Sequence, residues 1–134
     1  MAEELQVDLA EAVGASEEPA QQVLTLYIPD KDKDGKVHGK QSDWAQRGAE
    51  LLARVGGGVT RLPPAEAGWM NPETSEIIWE NTILVYTYVR AETFVPLLEE
   101  FRGFLHAFGR ETNQGEVVFE FGDRYYRIRE YDKP

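Results

Sequence analysis

The sequence contains no cysteine and only two histidines, His38 and His106. The absence of cysteine excludes disulfide bonds, thiolate zinc sites and catalytic thiol nucleophiles. The two histidines are not spaced with carboxylates in the way that a zinc motif requires. We therefore expect the protein to use no metal ion and no cofactor.

The chain also lacks any apolar run long enough to cross a membrane. Its first residues have neither the basic start nor the apolar stretch of a secretory signal. These two absences predict a cytoplasmic protein with no membrane partner.

Basic residues are missing from the first 22 positions, which hold six acidic ones: Glu3, Glu4, Asp8, Glu11, Glu17 and Glu18. The remaining residues hold 14 basic and 18 acidic groups, so most of the net charge of −10 comes from this leader. An acidic balance argues against a nucleic-acid protein that depends on a broad cationic surface. We expect residues 1–22 to form a mobile acidic tail, or a short helix that docks locally or on a partner.

What the chain does contain is enough large apolar side chains for one core, with 42% apolar residues in 134. Residues 23–134 are expected to form a single α+β domain. Its pattern predicts, in order, a strand, a helix, two strands, a helix and a hairpin, at residues 23–28, 43–55, 76–80, 82–89, 94–108 and 116–131. That order predicts a ferredoxin-like βαββαβ sandwich with an extra C-terminal hairpin strand, in which both helices cover one face of an antiparallel sheet.

Local signals set the expected ends of these elements. Asp43 is suited to begin the first helix as its N-cap, and Gly56 to end it in the left-handed conformation. Gly109 is expected to end the second helix, and Gly122-Asp123 predicts a two-residue type II′ hairpin. A further short hairpin is expected, in which Trp69-Met70 pairs with Ile77-Ile78.

The loop at residues 30–41 opens like a calcium-binding loop, with Asp30, Asp32 and Asp34 at alternating positions and Gly35 at the sixth. Its twelfth position is Gln41, where a bidentate Glu is needed. A strand precedes the loop where that motif has a helix. The favoured interpretation is therefore a solvated connection between strand and helix, with a calcium site as the alternative.

Aromatic and basic residues alternate onto one predicted sheet face. They are Tyr86, Tyr88, Tyr125, Arg127, Arg129 and Tyr131. Such a face suits a protein interface or a homodimer contact, and single-stranded nucleic acid binders use similar faces for stacking. A third interpretation is a plain, half-exposed sheet surface.

A second group of polar residues could converge beneath the irregular segment 56–75 to form a pocket. Its members are Trp69, Glu80, His106, Arg110 and Glu111. Glu80 and Glu111 are the candidate acid and base, or the candidate ligands of a metal. The competing interpretation is that these side chains cap helices and turns, and that His106 lies on the surface of its helix.

Scattered positions resemble a family of small uncharacterised bacterial proteins with a ferredoxin-like layout. They are Trp44, Gly58-Val59-Thr60, Gly68-Trp69, Ile77-Ile78-Trp79-Glu80 and Gln114-Gly115-Glu116-Val117. The chain departs from that family in its Gly-rich turn and in the residue inserted between Gln114 and Glu116. Since the family has no established activity, the resemblance implies the fold and assigns no function.

The leading hypothesis from the sequence is a small non-enzymatic regulatory protein that binds a protein partner or a second copy through its open sheet face. The first alternative is a small enzyme or ligand sensor with a polar pocket near Trp69, Glu80, His106 and Glu111. The second alternative is a single-stranded nucleic acid binder. The scaffold alone does not choose among them, because such folds host all three classes.

Overall fold

The computed structural model of the protein describes residues 6–18 and 21–134. The helices are α1 (Leu9–Val13), α2 (Gln41–Gly56), α3 (Ala91–Phe94) and α4 (Leu98–Glu111), with the 3-10 turn Val95–Leu97 between the last two. The strands are β1 (Val23–Pro29), β2 (Thr60–Arg61), β3 (Ala65–Met70), β4 (Ile77–Tyr88), β5 (Val117–Phe121) and β6 (Arg124–Ile128).

The six strands form one antiparallel sheet in the order β2-β4-β1-β5-β6, and β3 also pairs with β4. The predicted α+β fold with helices on one side of an open antiparallel sheet is confirmed, and so is the extra C-terminal strand. β1 lies centrally, as expected of a strand with apolar residues on both faces.

The core lies between α2, α4 and the alternate residues of β1 and β4. Leu24, Leu26 and Ile28 point to this side of β1, and each is at most 2% exposed. Trp44 of α2 contacts Phe108 of α4 edge-to-face, with ring centroids 5.5 Å apart. Because this one side takes the large apolar residues, the residues between them on each strand face away from the helices.

The first long helix extends further than predicted at both ends. It starts at Gln41 and not at Asp43, because the Gln41 side chain donates hydrogen bonds to the carbonyls of Ile28 and Asn81. The left-handed residue is Gly57, with φ of 86°, and Gly56 is still helical. Gly56 serves another purpose, since a Cβ there would overlap Thr87 of β4.

The second predicted helix is interrupted near its start and continues past its predicted end. Pro96 lies in the 3-10 turn, which separates α3 from α4 because proline lacks the N–H of the helical ladder. α4 continues through Gly109 to Glu111. Gly109 is the position at which the ring of Tyr131 packs on the helix, and a Cβ would overlap that ring.

The two strands predicted at 76–80 and 82–89 are one continuous strand, β4, and not two strands joined by a turn. Asn81 lies at the join and remains extended because Asp30 holds it from both sides. The Asn81 N–H donates to Asp30 Oδ1 at 3.0 Å, and the Asn81 carbonyl accepts the Asp30 N–H at 3.0 Å.

Both predicted hairpins are confirmed. Trp69 pairs with Ile78 and Met70 with Ile77. In the C-terminal hairpin, Gly122 has φ of 62°. Asp123 does not have a positive φ. This is the combination that a type II′ turn requires.

Part of the leader is helical. α1 begins after Asp8, whose side chain accepts the Glu11 N–H, and ends at Gly14. Residues 1–5 and 19–20 of the predicted tail lie outside the described residues, so its mobility stays a prediction. Within residues 6–18 and 21–134, no helix is long and apolar enough to span a membrane. The cytoplasmic location stays a prediction.

Candidate functional site

A cleft of about 810 Å³ lies on the side of the sheet that faces away from the helices. We call it the sheet cleft. The β3–β4 hairpin forms one wall, the turn before β5 forms another, and β1, β5 and β6 form the floor. The residues of its walls and floor that bear on its chemistry are Tyr27, Asp32, Lys33, Trp69, Glu80, Gln114, Glu116, Tyr125 and Arg127.

Glu80 is an acid of this cleft whose pKa is raised. It lies on β4 directly opposite Ala67 of β3, and both residues line the cleft. Burial raises the pKa of the Glu80 carboxyl, and the negative charge of Asp30 raises it further, while Lys31 opposes both effects. The cleft therefore holds a half-desolvated carboxyl group, which is a common property of functional acids.

A tyrosine–glutamate pair lies on the floor between β1 and β5. The Tyr27 hydroxyl donates a hydrogen bond of 2.5 Å to Glu120 Oε1. Burial, followed by this hydrogen bond and the charge of Glu120, raises the pKa of Tyr27 to about 12. Tyr27 is therefore a neutral hydrogen-bond donor over the whole physiological range.

Tyr125 and Arg127 of β6 form the side of the floor away from the β3–β4 hairpin. The guanidinium carbon of Arg127 lies 5.1 Å from the centroid of the Tyr125 ring. Arg127 Nε is 3.5 Å from one Glu116 oxygen, and Arg129 Nε is 3.7 Å from the other. These ion pairs are long and partly exposed, so Arg127 remains able to bind an anionic group.

Gln114 fixes the turn before β5. Its amide donates to the carbonyl of Lys31 at 2.9 Å, and its own backbone carbonyl accepts the Tyr131 hydroxyl at 2.8 Å. The turn is therefore tied both to the loop after β1 and to the C-terminal residues. This holds Glu116 at a defined place on the cleft wall.

The structure brings together only part of the predicted pocket. Trp69 and Glu80 both line the sheet cleft, but His106 and Arg110 do not. His106 is 7% exposed and not a surface residue, because the C-terminal residues cover it: the Asp132 N–H donates to His106 Nδ1 at 2.8 Å. Arg110 donates to the Asp132 carbonyl at 2.6 Å, and Glu111 is exposed at the end of α4.

The predicted aromatic and basic face is also divided. Tyr125 and Arg127 line the sheet cleft. Tyr86 and Tyr88 contact each other edge-to-face on β4, outside the cleft. Tyr131 is not on the sheet at all, since β6 ends at Ile128 and the Tyr131 ring packs on α4.

Two aspartates of the loop after β1, Asp30 and Asp32, accept backbone hydrogen bonds through their side chains. Asp32 Oδ1 accepts the N–H groups of Asp34 and Lys36, which lowers the pKa of the Asp32 carboxyl, and Asp30 holds Asn81. Among residues 6–18 and 21–134, no group of three or more His, Cys, Asp or Glu side chains is placed to hold a metal ion.

The sequence did not predict the cleft residue Tyr27 or its pairing with Glu120. Tyr27 and Glu120 are 93 positions apart, and only the pairing of β1 with β5 brings them together. A polar hydroxyl on the outward face of an otherwise apolar central strand was the available signal for Tyr27.

The raised pKa values of two tyrosines, Tyr27 and Tyr131, predict how the stability of the protein changes at alkaline pH. Burial and the charge of Glu116 also raise the pKa of Tyr131 to about 12. The fold favours the neutral phenol over the phenolate. The stability that Tyr27 and Tyr131 contribute is therefore complete below pH 10 and is lost as the pH rises from 10 to 12.

We expect a phenolate absorbance titration of the native protein to show two tyrosines that ionise near pH 12 and not near pH 10. Tyr27→Phe should remove one of them and leave the other unchanged. Tyr88→Phe, at an exposed site on β4, is the matched control and should remove neither. If both tyrosines titrated near pH 10 while the protein was still folded, the described packing of Tyr27 and Tyr131 would be wrong.

Comparison with solved structures finds the same fold in a phage lyase. A phage SAM lyase in complex with S-methyl-5'-thioadenosine superimposes with a TM-score of 0.57 at 10% identity, covering 82% of this chain and 90% of that one. A phage SAM lyase in the apo state gives 0.53 at 13% identity, covering 89% and 98%. At these identities the likeness shows a common fold. No family model and no curated protein matches the chain.

These comparisons overturn the leading hypothesis of a non-enzymatic binding protein. Both of these structures, which share the fold over 82% and 89% of this chain, are those of an enzyme. Part of the sheet face that was expected to meet a protein partner forms the floor of a cleft. The first alternative, a small enzyme or ligand sensor with a polar pocket, is the better supported one, and the sheet cleft is the candidate for its site.

Proposed function

We propose that this protein is a small lyase that binds a nucleoside sulfonium compound, S-adenosylmethionine, in the sheet cleft. It breaks the bond between the sulfonium sulfur and the carbon chain of the substrate's amino-acid part. The observation that carries the proposal is the half-buried carboxyl of Glu80, in a cleft of about 810 Å³, on a fold shared with a phage SAM lyase. A cleft of this size suits a ligand of a few hundred daltons.

The lining of the cleft matches the parts of this substrate. S-adenosylmethionine carries a planar adenine, a sulfonium and an ammonium cation, and a carboxylate. The rings of Trp69, Tyr27 and Tyr125 offer stacking surfaces for the adenine and for the cationic sulfur. Glu80 offers a partner for a positive group, and Arg127 offers one for the carboxylate.

The reaction is a heterolytic cleavage of a carbon–sulfur bond. The sulfur keeps the bonding electron pair and leaves as the neutral thioether of S-methyl-5'-thioadenosine. The carbon that loses the sulfur either forms a bond to the substrate's own carboxylate oxygen, which gives a lactone, or becomes part of an alkene when the neighbouring carbon gives a proton to a base, either water or a cleft carboxylate. The protein's contribution is to hold the chain in the reactive geometry and to exclude water.

The test is to incubate the purified protein with S-adenosylmethionine and measure release of S-methyl-5'-thioadenosine by chromatography. We expect protein-dependent release, and the second product identifies the lactone or the alkene route. S-adenosylhomocysteine is the matched control: it has the same adenosyl and amino-acid groups but an uncharged sulfur, which is a far poorer leaving group, so we expect no cleavage.

Binding provides a separate readout, because Trp69 lines the cleft. We expect S-methyl-5'-thioadenosine to change the tryptophan fluorescence of the native protein, and Trp69→Phe to remove that change. Trp79→Phe is the control, since Trp79 lies on the same hairpin and does not line the cleft. The absence of cleavage would overturn the lyase proposal, and the absence of binding would overturn the assignment of the ligand to the sheet cleft.

A further inference from the structure

A second, mostly apolar groove of about 640 Å³ lies on the helix side of the sheet. We call it the helix-side groove. It runs between α3 and α4 on one side and β5 and β6 on the other, and it does not share the Glu80 wall of the sheet cleft. Its apolar lining includes Val89, Phe94, Val95, Leu98, Phe121 and Tyr126. Val95 and Leu98 are 64% and 47% exposed, so much of their apolar surface contacts water, and a partner packed in the groove would bury it.

The acidic leader carries a helix with an apolar side that is equally uncovered. α1 contains no buried residue. Leu9 and Val13 are four positions apart, so they lie on one side of the helix, and they are 57% and 67% exposed. The helix has defined ends at Asp8 and Gly14. It therefore presents a preformed apolar patch about one turn long.

The leader joins the domain at the end of this groove. The Gln22 carbonyl accepts the Val89 N–H at 2.9 Å, and the Val23 carbonyl accepts the Gly122 N–H at 2.9 Å. Val89, and Phe121 next to Gly122, both line the groove. The connection from Gly14 to residue 21 reaches at most ~25 Å, which exceeds the roughly 16 Å covered by the five residues of β6. The tether is therefore long enough for α1 to reach any part of the groove.

The distribution of charge also favours contact between the leader and the helix-side groove. The leader has six acidic residues and no basic one. Arg124 pairs with Phe121 across the hairpin, so its side chain leaves the sheet on the groove side. Among the described residues, Arg124 has no ion pair. Arg102, which pairs with Asp132, provides a second cation on the groove lining.

From the tether, the matching apolar surfaces and the opposite charges, we infer that the helix-side groove is the docking site of this chain's own leader helix α1. In this docked arrangement, which differs from the exposed position of α1 in the structure, the Leu9 and Val13 side chains pack against Val95 and Leu98, and the leader carboxylates face Arg124. The docked leader closes the apolar groove between α4 and β6. This inference does not rest on the lyase proposal, because the groove is not the catalytic cleft.

Because the chain has no cysteine, any disulfide formed in a cross-linking test must join the introduced residues. The test protein is the full chain with Val13→Cys and Leu98→Cys, oxidised at low concentration. We expect an intramolecular disulfide, seen as a monomer of increased mobility on a non-reducing gel, with Ellman-reactive thiols lost. Adding Leu9→Asp to this pair is the matched control: the tether is unchanged but the apolar contact is lost, and cross-linking should slow severalfold.

A second control pairs Val13→Cys with Val37→Cys, which is even more exposed than Leu98 and lies on the loop after β1, and this pair should cross-link severalfold more slowly. The inference is overturned if Leu9→Asp leaves the rate unchanged, because proximity along the tether would then explain the disulfide. It is also overturned if the product is a disulfide-linked dimer, since the occupant would then be a second copy. Release of S-methyl-5'-thioadenosine is a separate readout, so failure here leaves the lyase proposal standing.

Discussion

Replacing Glu80 by Gln is expected to lower kcat/KM for S-adenosylmethionine by about 100-fold, which corresponds to about 2.7 kcal/mol. Gln keeps the size and hydrogen-bonding capacity of the side chain but removes its charge. In a site where the Glu80 carboxyl is half-buried, the lost attraction to a cationic substrate is not replaced by water. The measurement is the initial rate of S-methyl-5'-thioadenosine release as a function of substrate concentration.

The pH profile separates this role from a structural one. Burial and Asp30 raise the pKa of Glu80, so its carboxylate form is lost on acidification at a higher pH than for an ordinary glutamate. We expect kcat/KM of the native protein to fall as the pH decreases through this raised pKa. The Glu80→Gln variant should not show this decrease at acidic pH.

Stability of the Glu80→Gln variant should be unchanged or slightly higher at neutral pH, because the fold disfavours the ionised carboxyl. Glu76→Gln, at an exposed site just before β4, is the matched control and should leave kcat/KM within twofold. A Glu80→Gln protein that is folded and fully active would contradict the assignment of Glu80 to the site.

Replacing Gly56 by Ala is expected to cost about 2–4 kcal/mol of unfolding free energy. A Cβ at this position would overlap both the Thr87 hydroxyl and the backbone carbonyl of Tyr88. The Tyr88 carbonyl belongs to a paired strand and cannot rotate away, so α2 would have to move off the sheet. The measurement is urea unfolding monitored by circular dichroism.

Gly103→Ala is the matched control in the other long helix. Gly103 lies inside α4, is exposed, and has open space where the alanine Cβ would stand. Here the same substitution should stabilise the protein by about 0.5–1 kcal/mol, because alanine favours the helix over the unfolded chain. Two Gly→Ala changes in helices should thus have opposite signs. Destabilisation by Gly103→Ala, or none by Gly56→Ala, would contradict the described packing.

The pattern of apolar residues predicted most of the fold, because it records which face of each element is buried. It located β1, α2, β4 and both hairpins, with their cross-strand pairs. It was wrong where a side chain from elsewhere decides a boundary. Gln41 extends α2, and Asp30 holds β4 continuous through Asn81; neither contact is local.

The glycines show the same limit. Gly56 and Gly109 were expected to end helices, since glycine after an amphipathic stretch usually does. Gly56 is instead the last helical residue of α2 and Gly109 lies inside α4, and Thr87 and the Tyr131 ring approach the backbone at these two positions. Composition identifies such a residue as unusual, but only packing shows whether the reason is a turn or a close approach.

For the candidate site, the sequence by itself determined which functional groups are present. It has no thiol and few histidines, and its strands carry acidic residues, arginines and aromatic residues at alternating positions. The tertiary structure decided which of them act together. It placed Trp69, Glu80, Tyr125 and Arg127 around one cleft with the unexpected Tyr27, and it placed His106 and Tyr131 under the C-terminal residues. The physical reason is that strand pairing and helix packing join residues far apart in the chain, whereas a sequence pattern reports only which side of its own element each residue occupies.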